Sequence, residues 1–426
     1  MVPGVRCGAA VKIGPRERGA NEQMKSAPKV LPDIKPHTPI RILDRSKFSS
    51  SNLAFPIDRV APVVGMSRTY IRKVLGNEKS VTGTGVLKLL DLDAFAETFV
   101  PRSRVLDYLI ATEARTKTVD EIAPDPRWAL KRGHVLDLLP RITSESIQCV
   151  ATSTPYWGLR IYKDSHFAKW ADGETNPFGH EQTPEAFLRH TTEILNHLHR
   201  VLAENGSIWW NVMDSFNTRT QIRGNAAEAL RAMQGKDRRR WTEHACRRYS
   251  SGHAYLKDGE QCLIPSRIAE RASKLGFYVK SVVTWAKAST LPEPQESRVS
   301  RNLEYVLHLT KVRTPQFFKE SYRDLPSNLG GRNKQYETDK LSDVWTLPTS
   351  MGKGGHGAQF PIALPARCIA LSTQNEEIVL DPFVGSGNAG VAALALGRRF
   401  VGLDVSAEYI STAKKRLQEC RLISAR

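Results

Sequence analysis

No stretch of this 426-residue chain approaches the roughly 18 consecutive apolar residues that a membrane span needs. The N-terminus, MVPGVRCGAAVKIGPRERG, lacks the apolar core of a secretory signal. Cysteine is scarce. The six residues Cys7, Cys149, Cys246, Cys262, Cys368 and Cys420 form no CxxC pair and no Cys/His cluster with zinc spacing. A disulfide framework and a zinc module are therefore excluded as organising features, and no metal is expected. Together these absences predict a soluble, unexported, cytoplasmic protein with no membrane partner. Acidic residues are also in deficit. Asp and Glu number 44 against 62 Lys and Arg, giving a formal charge of +18 and a pI near 9.7. That balance favours a polyanionic partner, nucleic acid first.

What is present is enough for a sizeable core, with 40% hydrophobic residues. Residues 1–40 mix Gly, Pro, Lys and Arg without a sustained period and read as a disordered basic tail. Residues 41–120 read as a small helical region. Within it, Ala61 to Leu75 has the pattern of a helix-turn-helix. Gly65 supplies the turn and Ser67 caps the second helix. Ile71, Val74 and Leu75 form the buried face, and Arg68, Tyr70, Arg72 and Lys73 point outward. Pro62 inside the first helix counts against this reading, and a plain helical packing module is the alternative.

From about Trp128 strands and helices alternate. Strands are expected at 146–151, 207–212, 278–285, 305–309, 377–380 and 399–403. Helices are expected at 184–202, 265–275, 361–371, 389–396 and 407–420. This rhythm predicts a doubly wound α/β sheet over residues 121–426. Two polar insertions, 215–260 and 312–358, interrupt it. The first carries Arg238, Arg239, Arg240, Arg247 and Arg248.

Two constellations carry chemistry. The first runs from Asp381 through Phe383, Gly385 and Gly387 to Gly390, where a buried strand ends in an acid followed by a glycine turn and a small-residue helix. Such a turn lets backbone approach a ligand and offers unpaired N–H groups. Asp404 ends the next strand, where an acid can bind ribose hydroxyls. A nicotinamide domain would need many further elements, but only 22 residues follow Asp404. The rest of the sheet must come from earlier sequence. The second constellation, Thr152-Ser153-Thr154-Pro155-Tyr156-Trp157, follows a strand and is placed where α/β sheets bind ligands.

In these motifs and their order, the chain resembles the amino-methylating DNA methyltransferases of the beta class. That family carries a Ser/Asp-Pro-Pro-aromatic motif first and a Phe-x-Gly-x-Gly motif last. The resemblance covers about residues 128–420. It includes Gly133-His-Val-Leu-Asp137 and the Phe360-Pro361 pair ahead of the glycine loop. It implies a Rossmann-like S-adenosylmethionine-dependent sheet with circularly permuted motif order. It also implies catalytic residues Ser153, Thr154, Pro155 and Tyr156, and cofactor contacts at Asp381, Phe383, Gly385, Gly387, Asp404, Asp137, Phe360 and Pro361. Double-stranded DNA is the implied partner, with the arginines of 238–248 on phosphates and 312–358 as the target-recognition segment. A separately acting restriction endonuclease is a candidate partner, and oligomeric state is left open between monomer and dimer.

The implied chemistry suits the residues. An exocyclic base amine is a poor nucleophile until its hydrogens are held out of the ring plane. The Ser153 hydroxyl and the backbone carbonyl before or at Pro155 can accept them, while Tyr156 offers a face to a flipped base. Ser153 at the first position resembles the cytosine-N4 enzymes; Asp or Asn there is usual for adenine-N6. The chain contains no Pro-Cys pair, which argues against cytosine-C5 methylation. Thr154 replaces the family's first proline and is expected to loosen the loop. Asn388-Ala389 replaces the Thr usual after the glycine loop. Trp157 and Trp285 read as core, with lining of the base pocket as the alternative, and His180, His190, His197 and His199 read as solvated or structural ahead of metal binding. The leading expectation is a cytosine-N4 methyltransferase of a restriction–modification type. Adenine-N6 methylation is the alternative, followed by a DNA-binding regulator with a decayed catalytic domain.

Overall fold

The computed structural model describes residues 53–423, apart from 114–120, 125, 159–165, 218–219, 223–246, 250–252, 288–296, 331–340 and 350–359. Eight strands form one sheet: β1 Trp128–Arg132, β2 Ile147–Ser153, β3 Leu202–Val212, β4 Tyr278–Lys287, β5 Leu303–Thr310, β6 Val344–Leu347, β7 Ile378–Asp381 and β8 Arg399–Asp404. Their spatial order is β6-β4-β5-β3-β2-β7-β8-β1. Only β5 runs antiparallel to its two neighbours; every other pairing is parallel. The six strands expected from sequence are all present. β1 and β6 were not delimited from sequence, and β6 lies inside the stretch 312–358.

Both faces of the sheet are covered. Cys149, Ala151, Trp209, Val283, Trp285 and Trp345 point into a core shared with α7 (Ala363–Ser372), α8 (Asn388–Ala395) and α9 (Ala407–Ile423). The alternate side chains Val150, Ile208, Trp210 and Val212 are also buried, as the two-residue period of a strand requires. On this second side α5 (Pro184–Val201) and α6 (Ile264–Leu275) pack on one another. Sequence explains the helix starts. Thr183 caps α5, accepting from Ala186 N at 3.2 Å, with Pro184 at the first turn. Asp214, buried after β3, takes the Leu263 and Ile264 amides at 3.0 and 2.8 Å.

The sheet is a permuted assembly. β7 and β8, made last, sit between β2 and β1, made first. From β2 the chain winds outward to β3, whereas from β7 it winds the other way to β8. The order therefore reverses at the β2/β7 seam, and such a switch point leaves a crevice at the carboxyl ends of the strands.

Ahead of the sheet lie α1 (Ile57–Val64), α2 (Arg68–Leu75), α3 (Gly83–Leu90) and α4 (Val105–Glu113). Residues 54–56 pair antiparallel with 80–82 and so tie the two ends of the α1–α2 segment together. Pro62 does not break α1. The amide it lacks would have bonded Asp58, in the exposed first turn, and the Pro62 carbonyl accepts from Thr98 Oγ1 at 2.7 Å. The expected buried face of α2 is narrower than the sequence suggested: Ile71 is fully buried but Val74 is exposed.

Candidate active site

Parallel strands place their carboxyl ends on one edge, and β5, running the other way, starts there. Ser153 ends β2 and pairs in register with Asn211 on β3. Asp381 ends β7, whose Leu380 is level with Val150 of β2. The two sequence motifs, about 230 residues apart in the chain, thus meet at adjacent strand ends across the switch point. One hydrogen bond crosses the seam directly, Thr152 Oγ1 donating to Asp381 Oδ1 at 2.6 Å.

On the β2 side a buried polar chain stands behind Ser153. Glu304, near the start of β5, is ion-paired to Lys287 at the end of β4, with Nζ–Oε1 2.8 Å. The Tyr156 hydroxyl donates a short hydrogen bond to Glu304 Oε2. Asn211 Nδ2 lies 2.8 Å from that carboxylate oxygen, 2.9 Å from Tyr156 Oη and 3.1 Å from Ser153 Oγ. Ser153 Oγ and Tyr156 Oη are 3.1 Å apart. Because Tyr156 spends its only proton on the carboxylate, the Ser153 hydroxyl must donate to Tyr156. The Ser153 oxygen accepts from Asn211 Nδ2 and keeps a second lone pair, so it can still act as an acceptor.

Asn211, Glu304 and Lys287 were not singled out from sequence. None of them belongs to a motif with recognisable spacing. The available signal was an acid opening the apolar run Tyr305-Val-Leu-His-Leu309, since a buried charge requires a partner.

Thr154 does the opposite of what was expected. Its amide donates to Asn211 O at 3.3 Å, a bond that the proline it replaces has no hydrogen to make. The substitution pins the loop to β3. Pro155 packs beside Gly179, whose positive φ of 85° and closeness to the Pro155 ring (a Cβ there would lie 3.2 Å from Pro155 Cβ) suit only glycine. Trp157 is core, its indole donating to Glu181 O at 3.0 Å. Trp285 is core too, donating to Leu347 O at 3.1 Å.

On the β7 side the Asp381 carboxylate is completely buried. Its Oδ1 accepts from Thr152 and from the Phe383 amide at 3.0 Å. Its Oδ2 has no hydrogen-bond partner among the described residues. Burial pushes its pKa up to about 7, against the two hydrogen bonds and with help from the Asp404 charge. Asp404 holds the glycine loop: Oδ2 accepts from Gly385 N at 2.9 Å and Oδ1 from Ser406 N at 2.9 Å. Gly385 has φ +48°, and a Cβ added there would meet only a carbonyl oxygen at 3.9 Å, so this side of the loop is open. Gly387, at φ +87°, caps α8. Phe383 stacks on Phe178 with ring centroids 5.5 Å apart. Phe360 is joined to the loop through its carbonyl, which accepts from Asn388 Nδ2 at 2.6 Å; Pro361 follows it, half-buried.

The remaining expected residues lie apart or outside the described residues. Asp137 is exposed on the short helix Val135–Leu138 after β1, beyond β8 from the seam. Arg238, Arg239 and Arg240 lie outside the described residues. Arg247 and Arg248 lie on a strand, 247–249, that pairs with 220–222. The stretch 312–358 is not purely an insertion, because Tyr322, Leu325, Leu329 and Trp345 belong to the core. Of the solvated and structural roles expected for it, His190 takes the structural one. It is fully buried, stacks on Trp170 at 4.1 Å and bonds both Glu181 and Asp172. Burial lowers its pKa, but those two acids outweigh it and raise the net value. Arg189 spans Asp172 and Glu174 at 2.7 and 2.8 Å, placing a guanidinium where a cation would otherwise sit between the acids. No helix among the described residues is long and apolar enough to cross a membrane.

Comparison with known proteins agrees with this geometry. Residues 147–415 match the model of the N6/N4 methyltransferase family, described as DNA methylase. The type II methyltransferase M.Cfr9I of Citrobacter freundii is 32% identical over 289 residues, covering 68% of this chain and 87% of that protein. M.XycI of Xanthomonas campestris pv. cyanopsidis gives the same identity and coverage. Among solved structures, the cytosine-N4-specific PvuII DNA methyltransferase aligns over 70% of this chain and 92% of its own, with 18% identity and a TM-score of 0.45.

Proposed function

We propose, for a chain that belongs to the N6/N4 family of DNA methylases, that the methylated position is the exocyclic N4 amine of a cytosine flipped from duplex DNA. The observation that carries this reading is Ser153, a neutral acceptor at the head of the catalytic loop and beside the β2/β7 seam.

S-adenosylmethionine is the family's methyl donor, and the residues present fit it. Asp381 Oδ2 is a buried acceptor without a partner, suited to a ligand ammonium, and Gly385 leaves open space beside its backbone. Asp381, Phe383, Gly385, Gly387 and Asp404 would hold the cofactor, with Phe360 and Pro361 buttressing the loop. When bound, it supplies an electrophilic methyl group on a sulfonium. The protein's own work is positioning. Ser153 Oγ accepts one amine hydrogen. The backbone carbonyl before or at Pro155 accepts the other, so the nitrogen lone pair leaves the ring plane. Tyr156 supports the base through its ring, which its hydroxyl bond to Glu304 orients. No strong general base is required, because the methylated ammonium loses its proton readily.

Arg238, Arg239, Arg240, Arg247 and Arg248 contact phosphates in this reading. The part of 312–358 outside β6 and the core reads base edges. The setting is a restriction–modification system with a separate endonuclease.

The deciding experiment digests DNA methylated by the purified protein to nucleosides and separates them by mass spectrometry. N4-methylcytosine is the expected product. N6-methyladenine would move the assignment to the other branch of the family, and no modified base would end the catalytic reading.

A further inference from the structure

The α1–α2 segment takes no part in the catalytic edge, yet it is built with care. α1 is buried at Ile57, Val60, Ala61, Val63 and Val64, and it packs against α3, α4 and α6. A three-residue turn follows. Gly65 adopts φ +65°, and a Cβ there would fall 2.5 Å from the Ala96 carbonyl oxygen, so no other residue fits. Met66 is buried. Ser67 then caps α2, accepting from Tyr70 N at 3.2 Å.

α2 itself is anchored by one fully buried side chain, Ile71. Arg68, Thr69, Tyr70, Arg72, Lys73 and Val74 are exposed. The helix contains three cations and no acid. Residues 57–90 hold six basic and two acidic side chains, and one of the acids, Asp58, pairs with Arg68 at 3.0 Å. That pair is more than half exposed on both sides and is easily given up.

A buried scaffold helix, a tight glycine turn and an outlying, cationic second helix match the parts of a helix-turn-helix. We propose that α2 docks on duplex DNA as a second DNA-contacting element outside the catalytic sheet. The occupant follows from charge complementarity. An eight-residue helix of about 12 Å fits the major groove of B-form DNA. Arg72 and Lys73 supply phosphate contacts, and exposed Tyr70 lies one turn before Lys73. The binding step does not depend on methylation, so it stands or falls apart from the catalytic assignment.

The test uses the full chain with Arg72→Gln and Lys73→Gln combined. Binding of a labelled mixed-sequence duplex is followed by anisotropy across a salt series, with nuclease footprinting. The slope of log affinity against log salt should fall by about two, since each lost phosphate contact removes roughly 0.9. The footprint should shorten on one side. S-adenosylmethionine affinity and Tm should be unchanged, because both side chains are exposed. An unchanged slope and footprint would overturn the proposal. So would an unchanged slope accompanied by loss of self-association in sedimentation, which would assign the face to a second copy. A wild-type slope that falls as expected in the variant, in a protein that methylates nothing, would sink the catalytic reading and leave this one standing.

Discussion

A single buried oxygen, Asp381 Oδ2, gives the site a pH signature. Its carboxyl has a pKa of about 7 because burial opposes its charge. Below that pH it is neutral and does not attract a cationic ligand. S-adenosylmethionine affinity in calorimetry should therefore rise about tenfold per pH unit up to about 7 and level off above. Stability runs the other way. Between about pH 4 and 7 the folded chain keeps a proton that the unfolded chain has lost, so stability falls as pH rises through this window. Asp381→Asn should abolish the binding profile and gain stability relative to the parent, a gain that grows from about pH 4 to 7 and is constant above. A flat affinity profile in the parent would remove Asp381 from the cofactor site.

The polar chain behind Ser153 makes a second prediction at this scale. Its direction depends on Glu304 accepting from Tyr156. Glu304→Gln allows the chain to reverse, so that Ser153 presents its hydrogen instead of a lone pair. Single-turnover methylation should slow by roughly ten- to hundredfold, the equivalent of about 1.5–3 kcal/mol for a hydrogen bond to a charged group. DNA and cofactor affinity should change little. Tyr156→Phe should show a milder version, since it keeps the ring and leaves Glu304 with Lys287 and Asn211. The sequence alone favoured the ring as the working part of Tyr156; its hydroxyl partner, 148 residues away, comes from the fold.

Among elements, the glycine loop and α8 divide their glycines between ligand and packing. Gly385 faces open space, whereas a Cβ on Gly390 would lie 2.7 Å from Phe400 and 2.8 Å from Leu417. Gly390→Val should destabilise by about 1–3 kcal/mol through overpacking, seen as a lowered Tm. An unchanged Tm would mean that α8 can slide off β8. The sequence made most of these elements legible. Strands β2, β3, β4, β5, β7 and β8 are apolar runs bounded by turn residues, and helices such as α5 carry a cap and a proline at their start. β6 escaped because Val344–Leu347 is four residues long and set in a polar stretch. β1 escaped because Trp128–Arg132 ends in two exposed cations at the sheet edge. The motifs at strand ends were readable as local patterns. Asn211, Glu304 and Lys287 were not, because only strand pairing brings them together.

For the whole molecule, charge is the broadest lever. Arg238→Gln, Arg239→Gln and Arg240→Gln together should weaken binding to all duplex sequences alike and reduce the salt slope by up to about three. A changed sequence preference at constant slope would make these arginines readers of bases instead of holders of phosphate.

The permuted sheet also has a consequence in time. β2 leaves the ribosome early, but its neighbour β7 is encoded about 230 residues later. At roughly 5–20 residues per second that interval is about 10–45 s. Throughout it, one edge of an apolar strand waits unpaired, an open template for the wrong partner. The sheet cannot close at its centre until β7 has been made. A message cut short just before β7 yields six of the eight strands but only one wall of the active site. For a chain that modifies DNA, activity then waits for β7, and the spacing between the two walls of the site sets that delay.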